Sequence, residues 1–304
     1  MNTSKMIAQV CRLPITLGCP GRGIGGRFKT LDIKMLSTEV ASAVERKIEV
    51  NGVNINYIKV GNGPHNVLCT PGALGSIWTD FKPQIDNMNK SRFTLVVWDP
   101  PGYGKSIPPK RDFSPGFHHR DADFGIKLMQ VLNIEKYSLL GWSNGGIASM
   151  IMAAKSPQNI NKLVLWGSNS YFSEEEGEQY KAFRDHSVLS PTLKAPYIAL
   201  YGQECYDEMW TSWIDATAAI MASETKGDIC KTLLPKISCP TFVLHGQLDI
   251  NIAPEHPHYI IKNVKNSRLH IFPEGKHHIH MKYWKEFNQL VEDFLLEENV
   301  QSKL

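Results

Sequence analysis

The stretch GWSNGG, Gly141 to Gly146, decides the fold, because it places a serine among glycines directly after an apolar run. It fits the pattern G-x-S-x-G, in which a sharp strand-to-helix turn leaves the serine side chain projecting. Such a turn needs neighbours without bulk, and Gly141, Gly145 and Gly146 meet this need. A strand pattern precedes the motif and a helical pattern follows it. We therefore predict a nucleophilic Ser143, against the alternative of a glycine-rich turn with an idle serine.

Outward from this motif, short apolar runs alternate with helical patterns. An opening segment, Arg46 to Gly61, alternates apolar and polar residues around Asn51-Gly52, which is typical of a β-hairpin. Six later runs are typical of buried strands: Asn66 to Gly72, Phe93 to Asp99, Lys136 to Trp142, Lys162 to Ser168, Thr241 to Gln247 and Ser267 to Pro273. Helical patterns separate several of them, including Asp121 to Asn133. This order predicts an α/β fold with a mostly parallel central sheet flanked by helices.

The regular alternation stops between residues 168 and 234. This segment is too long for a loop, and it contains mostly helical patterns together with Trp210 and Trp213. We predict that residues 168–234 form a helical cap inserted between two core strands. The core then comprises residues 45–167 and 235–296, preceded by a leader, residues 1–44, and followed by a tail, residues 297–304.

A nucleophilic serine needs a base, and the base needs an acid that orients it. With this motif the chain order is serine, acid, histidine. The segment HGQLD places Asp249 just after a strand, with a surface-turn aspartate as the alternative. After the last strand, the segment PEGKHHIH offers His277, His278 and His280, and the G-x-H spacing after Gly275 favours His277. A metal site built from these histidines needs a further ligand that the sequence does not provide, so we expect no metal.

The loop TPGALGS, Thr70 to Ser76, follows the first long strand, and its backbone N–H groups can face the serine. An oxyanion hole takes one donor from the residue after the nucleophile, here Asn144, and one from this loop. We assign the second donor to Ala73, with Leu74 as the alternative. A plain glycine turn also fits these residues.

Other histidines and glycine motifs receive structural interpretations. GRGIGG, Gly21 to Gly26, has the spacing of a dinucleotide-binding loop, but no strand precedes it and no helical pattern follows. GYGKS, Gly102 to Ser106, resembles the end of a phosphate-binding loop, but Asp99 stands where the first glycine is required. We predict a structural turn there and no cofactor. Four histidines are assigned to the surface or to loops: His118, His119, His256 and His258.

Composition limits the partners. The chain has 304 residues, of which 42% are apolar and 21% are charged, with a net charge of +3. Because residues 1–31 carry five basic and no acidic residues, the remainder is slightly negative, which gives no reason to expect nucleic acid. No apolar run approaches the roughly 20 residues needed to cross a membrane. The six cysteines form no CxxC pair, which favours reduced thiols.

Two targeting signals disagree. The basic, acid-free beginning of the chain is typical of a mitochondrial transit peptide, against the alternative of a disordered basic leader. The chain ends in Ser302-Lys303-Leu304, a peroxisomal import signal when exposed. We expect a mitochondrial location with a peroxisomal alternative, and import receptors as partners of either signal.

The motifs TPGALGS, DPPGYGKS, GWSNGG, HGQLD and EGKHHIH, in this order, resemble those of the α/β-hydrolases from about Glu45 to about Leu296. The segments VNGVNINY, LLGWS and RLHIFPEGKH narrow the resemblance to the biphenyl hydrolase-like, or valacyclovir hydrolase, family. This resemblance implies a serine hydrolase of α-amino acid esters. Carried over by motif, Ser143 is the nucleophile, Asp249 the orienting acid and His277 the base.

One residue departs from that family. An aspartate typically follows the serine there and is thought to bind the substrate's ammonium group, whereas this chain has Asn144. A hydrogen bond to a charged group contributes about 1.5–3 kcal/mol and a neutral one about 0.5–1.5 kcal/mol. The difference predicts a roughly tenfold weaker preference for a charged amino group. The Asn144 side-chain oxygen can still accept a hydrogen bond from an ammonium, and its backbone N–H is unaffected.

The expected partner is therefore a small-molecule ester, cleaved through an acyl-enzyme. Two alternatives use the same triad: a thioesterase or thiolactonase, and a hydrolase of carbon–carbon bonds. A non-catalytic binding module on the same fold is a further alternative, but its expected sign is a broken triad, and here every member is present.

Overall fold

The structure is a computed structural model that describes residues 43–185 and 190–298. The predicted leader up to residue 42, the GRGIGG motif and the C-terminal SKL lie outside the described residues. The strands are β1 (Glu45–Val50), β2 (Val53–Val60), β3 (His65–Thr70), β4 (Phe93–Trp98), β5 (Tyr137–Trp142), β6 (Ile160–Trp166), β7 (Thr241–Gly246) and β8 (Ser267–Phe272). The helices are α1 (Ile77–Asn87), α2 (Phe117–Val131), α3 (Asn144–Lys155), α4 (Glu174–Phe183), α5 (Pro191–Tyr201), α6 (Gln203–Ala222), α7 (Glu255–Asn263), α8 (Ile279–Lys282) and α9 (Trp284–Leu296).

One sheet joins all of these strands in the order β1-β2-β4-β3-β5-β6-β7-β8. The first two strands form the predicted hairpin, in which Asn51 and Gly52 both have positive φ, as a tight two-residue turn requires. β2 also pairs antiparallel with β4, and every pairing from β4 to β8 is parallel. The predicted α/β architecture with a mostly parallel sheet is therefore confirmed.

Helices cover both faces of the sheet, which explains why the central strands are continuous apolar runs. On one face, α2 and α3 contribute Leu128 and Ile151 to a core that also contains Leu68. On the other face, α1 and α9 contribute Phe81 and Phe287 to a second core. The carboxyl ends of the parallel strands, where the loops that follow β3, β5, β7 and β8 begin, are thereby held on a rigid base.

Three helices, α4 to α6, lie in the chain between β6 and β7, within the segment predicted as a cap. They form an aromatic cluster that includes Tyr180 and Trp213 and packs against Leu74 of the β3–α1 loop. The Tyr201 hydroxyl donates to the Leu74 carbonyl at 3.0 Å and accepts from the Gly104 N–H at 2.8 Å. These contacts join α5 to two loops of the core, while the exact domain boundaries stay a prediction.

Two helices, α1 and α7, were not predicted from the sequence. α1 contains Pro83 in its interior, and α7 has Pro257 in its first turn, where a missing N–H costs little. Both prolines weaken the helical pattern. A capping box of Ser76 and Thr79 nevertheless marks where α1 begins.

The assignment of His118 and His256 to the surface was wrong. His118 lies in the first turn of α2, which begins four residues earlier than the predicted Asp121, and its ring stacks on Phe117. His256 lies on the buried face of α7, and its Nε2 is 2.7 Å from the Glu176 carboxylate of α4. Both side chains are buried because their helices turn them towards the protein interior.

The turn from Asp99 to Ser106 is structural, as predicted. The Asp99 carboxylate accepts hydrogen bonds from the backbone N–H groups of Ile77 and Lys105, and the Ser106 hydroxyl donates to the Asp99 carbonyl. The backbone N–H groups that a phosphate-binding loop would direct at a ligand also donate within the protein, those of Gly102, Tyr103 and Ser106 to carbonyls of the same turn and that of Gly104 to the Tyr201 hydroxyl.

A buried ion pair holds the segment before α2. Both guanidinium ends of Arg111 contact the Asp121 carboxylate, at 2.7 and 2.6 Å, and both side chains are at most 10% exposed. We expect Asp121→Ala to lower the free energy of unfolding by about 3–5 kcal/mol, because it leaves a buried guanidinium without its counter-charge. Chemical denaturation measures this loss.

The matched control is Asp123→Ala, two residues further along α2. Asp123 pairs with Lys155 at the surface, where both side chains are more than a third exposed. An exposed pair of this kind contributes at most about 1 kcal/mol. Equal losses for the two variants would contradict a structural role for the buried pair.

Candidate active site

The strand-to-helix turn after β5 holds Ser143 in an unfavourable backbone conformation. Ser143 lies between β5 and α3 with φ 53° and ψ −123°, a region that costs a non-glycine residue about 1–3 kcal/mol. A Cβ on Gly145 would lie 2.1 Å from the Thr70 carbonyl oxygen, and one on Gly141 would lie 2.6 Å from the Gly145 carbonyl oxygen. The glycines thus allow the close packing that the sequence motif predicts, and this packing maintains the strained turn.

Two further loops bring an acid and a histidine together. Asp249 follows β7, His277 follows β8, and the His277 Nδ1 lies 2.8 Å from the Asp249 Oδ2. The other oxygen of this carboxylate accepts the N–H groups of Asn251 and Ile252. Burial by itself would raise the pKa of Asp249, but the His277 ring and these hydrogen bonds lower it below its ordinary value. The carboxylate is therefore fixed, charged and directed at the ring.

Ser143 and His277 line the same cavity. No hydrogen bond joins their side chains in the described part of the chain, and serine–histidine bonds in ligand-free sites are often long. The His277 ring packs closely on Gly167 at the end of β6. The backbone carbonyl of His277 accepts a hydrogen bond from the indole N–H of Trp142 at 3.2 Å. These contacts hold the imidazole at the edge of the sheet where Ser143 projects.

The loop predicted to supply an oxyanion donor passes over the serine. A Cβ on Gly72 would lie 3.3 Å from the Ser143 Cβ, so the loop and Ser143 are in close contact. The Gly75 N–H donates to the Gly72 carbonyl at 3.1 Å, which closes a turn with Ala73 and Leu74 at its centre. Within residues 43–185 and 190–298, the backbone N–H groups of Ala73, Leu74 and Asn144 donate no hydrogen bond. All three are therefore available to an oxyanion.

Aromatic side chains of the cap form much of the cavity wall, around a space of about 110 Å³. They are Tyr180, Phe183, Tyr197, Tyr206, Trp210 and Trp213. Among the lining residues that the structure describes, Lys194 is the single residue with a charged side chain, and none is an aspartate or a glutamate. The cavity thus favours an apolar group.

The other two histidines of the PEGKHHIH segment are placed differently. His278 also lines the cavity, and burial, followed by the effect of neighbouring His277, lowers its pKa to about 4. His280 lies in α8, wholly buried between Trp142 and Trp166. Of the three, His277 alone contacts a carboxylate among the described residues.

Comparison with known proteins identifies the family. The profile of the alpha/beta hydrolase fold matches residues 66–187. The serine hydrolase BPHL of Mus musculus is 46% identical over 263 residues, which cover 86% of this chain and 89% of that protein. The Homo sapiens protein of the same name is 46% identical over 258 residues, covering 85% of this chain and 87% of that one.

The chain belongs to the BPHL family of α/β serine hydrolases. This finding confirms the family predicted from the sequence motifs, and it makes the protein a hydrolase. Among solved structures, this hydrolase is similar to the 2-hydroxy-6-oxo-6-phenylhexa-2,4-dienoate hydrolase of Rhodococcus sp. strain RHA1, with a TM-score of 0.69 and 17% identity over 83% of this chain and 98% of that one. At this identity the likeness shows the fold alone.

In this hydrolase the side chain of Asn144 is not part of the cavity lining. Its Nδ2 is buried, as is the Nε2 of His118, and neither atom has a hydrogen-bond partner of normal geometry in the described structure. The two side chains are nevertheless close enough for Asn144 to influence His118. Burial lowers the pKa of His118 to about 3, and the positive charge of Arg111 contributes to the decrease. His118 is therefore a neutral neighbour of Asn144 that no sequence motif indicated.

Three further findings concern the described residues of this hydrolase. They contain no group of three or more His, Cys, Asp or Glu side chains arranged to hold a metal ion. None of their helices is long and apolar enough to span a bilayer. Their cysteines, Cys69, Cys205, Cys230 and Cys239, are free thiols.

Proposed function

We propose that this hydrolase cleaves carboxylic esters, α-amino acid esters among them, with Ser143 as nucleophile, His277 as base and Asp249 as orienting acid. The observation that carries the proposal is the 2.8 Å contact between His277 Nδ1 and Asp249 Oδ2, next to a strained serine on the same cavity. With a proton on Nδ1, the ring donates to the carboxylate and leaves Nε2 free to accept the serine proton.

The reaction takes two steps. Ser143 Oγ attacks the ester carbonyl while His277 Nε2 takes its proton, and the ring then gives that proton to the leaving alcohol. Water, deprotonated by the same nitrogen, attacks the acyl-enzyme and releases the acid. In both steps the N–H groups of Asn144 and Ala73 donate to the oxyanion, with Leu74 as the alternative loop donor.

The cavity wall supports an ester with a large apolar or aromatic acyl group. Burying such a group against aromatic rings contributes about 25 cal/mol for each Å² removed from water. No described carboxylate of the lining offers a counter-charge to an α-ammonium group. The apolar side chain of an amino acid ester should therefore contribute more to binding than its amino group.

A labelling experiment combined with a substrate panel tests the proposal. A fluorophosphonate probe should modify Ser143, located by peptide mass spectrometry, and should abolish ester hydrolysis. The panel compares a phenylalanine ester, its N-acetyl form, an acyl thioester and a carbon–carbon-cleavable diketone. Labelling of another residue, or turnover of the thioester or diketone in place of both esters, would overturn the proposal.

Asn144→Asp is expected to shift substrate preference. Although the Asn144 side chain does not line the cavity, its residue adjoins Ser143, which does, and a carboxylate there would bind an ammonium more strongly than an amide does, by about 1 kcal/mol or more. We expect the ratio of kcat/KM for the phenylalanine ester over its N-acetyl form to rise about tenfold. An unchanged ratio would show that this side chain does not contact the amino group. Asn263→Asp, at the C-terminal end of α7 and outside the cavity lining, is the control for an added carboxylate.

We also propose import into mitochondria through residues 1–44, with peroxisomal import through Ser302-Lys303-Leu304 as the alternative. The support is compositional: a basic, acid-free leader and a terminal tripeptide of the peroxisomal type. Fluorescent fusions that keep one signal and lack the other would distinguish the two. Cytosolic fluorescence from both fusions would contradict both import routes.

A further inference from the structure

A buried carboxylate outside the proposed triad contacts the turn that crosses the nucleophile. Asp80 lies in the first turn of α1 and is 0% exposed. Its Oδ2 accepts the Gly72 N–H at 2.9 Å, and its Oδ1 accepts the Thr79 hydroxyl at 2.7 Å. Neither bond is needed to form the helix, since Ser76 and Thr79 already cap it.

The turn is shaped around this carboxylate. A Cβ on Gly75 would lie 1.9 Å from the Asp80 Oδ2, so only glycine leaves room for the contact. Leu74, between the bonded Gly72 and Gly75, has a φ of 58°, which a leucine rarely adopts without support from its surroundings. The carboxylate therefore binds one end of the turn, at Gly72, and packs against the other end, at Gly75, while the turn itself lies against Ser143.

We propose that Asp80, in its ionised form, is a positioning residue that holds the Gly72–Gly75 turn so that its free N–H groups meet the developing oxyanion. A charged acceptor strengthens the bond from the Gly72 N–H relative to a neutral one. This inference rests on the proposed function, because the oxyanion is an intermediate of ester hydrolysis. Asp80 touches neither substrate nor reacting atoms, and it acts through the turn.

The fraction of Asp80 that is ionised changes with pH near neutrality. Burial raises its pKa to about 7, against the lowering effect of the Thr79 and Gly72 hydrogen bonds. The titratable groups that face it from the neighbouring elements are Asp99 after β4, His277 after β8, His280 of α8, and Tyr197 and Tyr201 of α5. Because the pKa is raised, the carboxylate is charged above neutrality and neutral at acidic pH.

Asp80→Asn tests the inference, since it keeps the shape and one acceptor oxygen but removes the charge. At about pH 8.5 we expect kcat for a p-nitrophenyl ester to fall about 10–100-fold, with KM unchanged within about threefold, as for displaced oxyanion donors. At about pH 5.5 the gap in kcat should shrink to less than about threefold, because Asp80 of the wild type is then neutral as well. The gap in kcat between the two proteins is measured separately at each pH.

Two further variants guard against a folding artefact. Gly75→Ala should displace the same carboxylate from the other side and lower kcat in the same way. Asp86→Asn, on the exposed face of α1 where Asp86 pairs with Lys82, should leave kcat unchanged. Thermal unfolding and phosphonate titration of each variant give its folded, labelled fraction, to which kcat is normalised.

The outcomes separate this inference from the proposed function. If the wild type hydrolyses the ester, Ser143→Ala does not, and Asp80→Asn retains kcat at both pH values, the positioning role is excluded while the proposed function stands. A loss in Asp80→Asn that is equal at both pH values, or that falls on KM, also overturns it. If the wild type is inert toward the ester, the proposed function fails first.

Discussion

Ser143→Ala is expected to lower kcat for ester hydrolysis by at least about 10⁴-fold while leaving KM within a few-fold, because no acyl-enzyme can form without the hydroxyl. Alanine does not relieve the backbone strain of the turn, because the packing of Gly141 and Gly145 sets the φ of 53° at residue 143. The measurement is steady-state kinetics with a p-nitrophenyl ester, together with loss of phosphonate labelling.

Ser138→Ala is the matched control for this change. Ser138 lies on the same strand, β5, is buried like its neighbours and does not line the cavity. It should keep full labelling and kcat within about twofold. Residual hydrolysis in Ser143→Ala at a tenth of the wild-type rate or more would show that another group is the nucleophile.

The second large effect is expected for Asp249→Asn, which should lower kcat about 10⁴-fold, as the equivalent change does in a serine protease triad. Its Oδ1 can still accept the N–H groups of Asn251 and Ile252, so the loop after β7 keeps its shape. The new amide, however, presents N–H groups to His277 Nδ1, which must then accept. The remaining ring proton moves to Nε2, and the ring can no longer take the serine proton.

Kinetics over a range of pH, with Asp293→Asn as a control on the exposed side of α9, measure this effect. A loss of less than about tenfold would assign the orienting role elsewhere. Glu255, the next acid in the sequence, is not positioned for it, because its carboxylate accepts the Tyr171 hydroxyl at 2.9 Å.

The sequence predicted the strands and the strand-to-helix turn at Ser143 well, because their signals are local. Where strands alternate with helices, apolar runs of strand length between glycine-rich turns are a clear signal of buried strands. The serine motif carries its own context, since β5 precedes it and α3 follows it as expected. The chain order then placed Asp249 and His277 in loops that end next to each other.

What the sequence did not reveal depends on tertiary packing. Asp80 and His118 have no motif, and polar residues near a helix start are normally expected to face solvent. Only the fold shows that one contacts the turn over Ser143 and the other the amide of Asn144. The choice between Ala73 and Leu74 is similar, because it depends on which N–H of one turn points at the serine.

The phenol of Tyr201, which bridges the Leu74 carbonyl and the Gly104 N–H, has a consequence for the evolution and engineering of this enzyme. The helices between β6 and β7 line the cavity, but this one tyrosine also holds the backbone of the loop that lies against Ser143. A chimera that receives the insertion of a distant homologue therefore needs a matching hydroxyl at this place. Without it, the Leu74 carbonyl and the Gly104 N–H would lose the partner that joins them to α5.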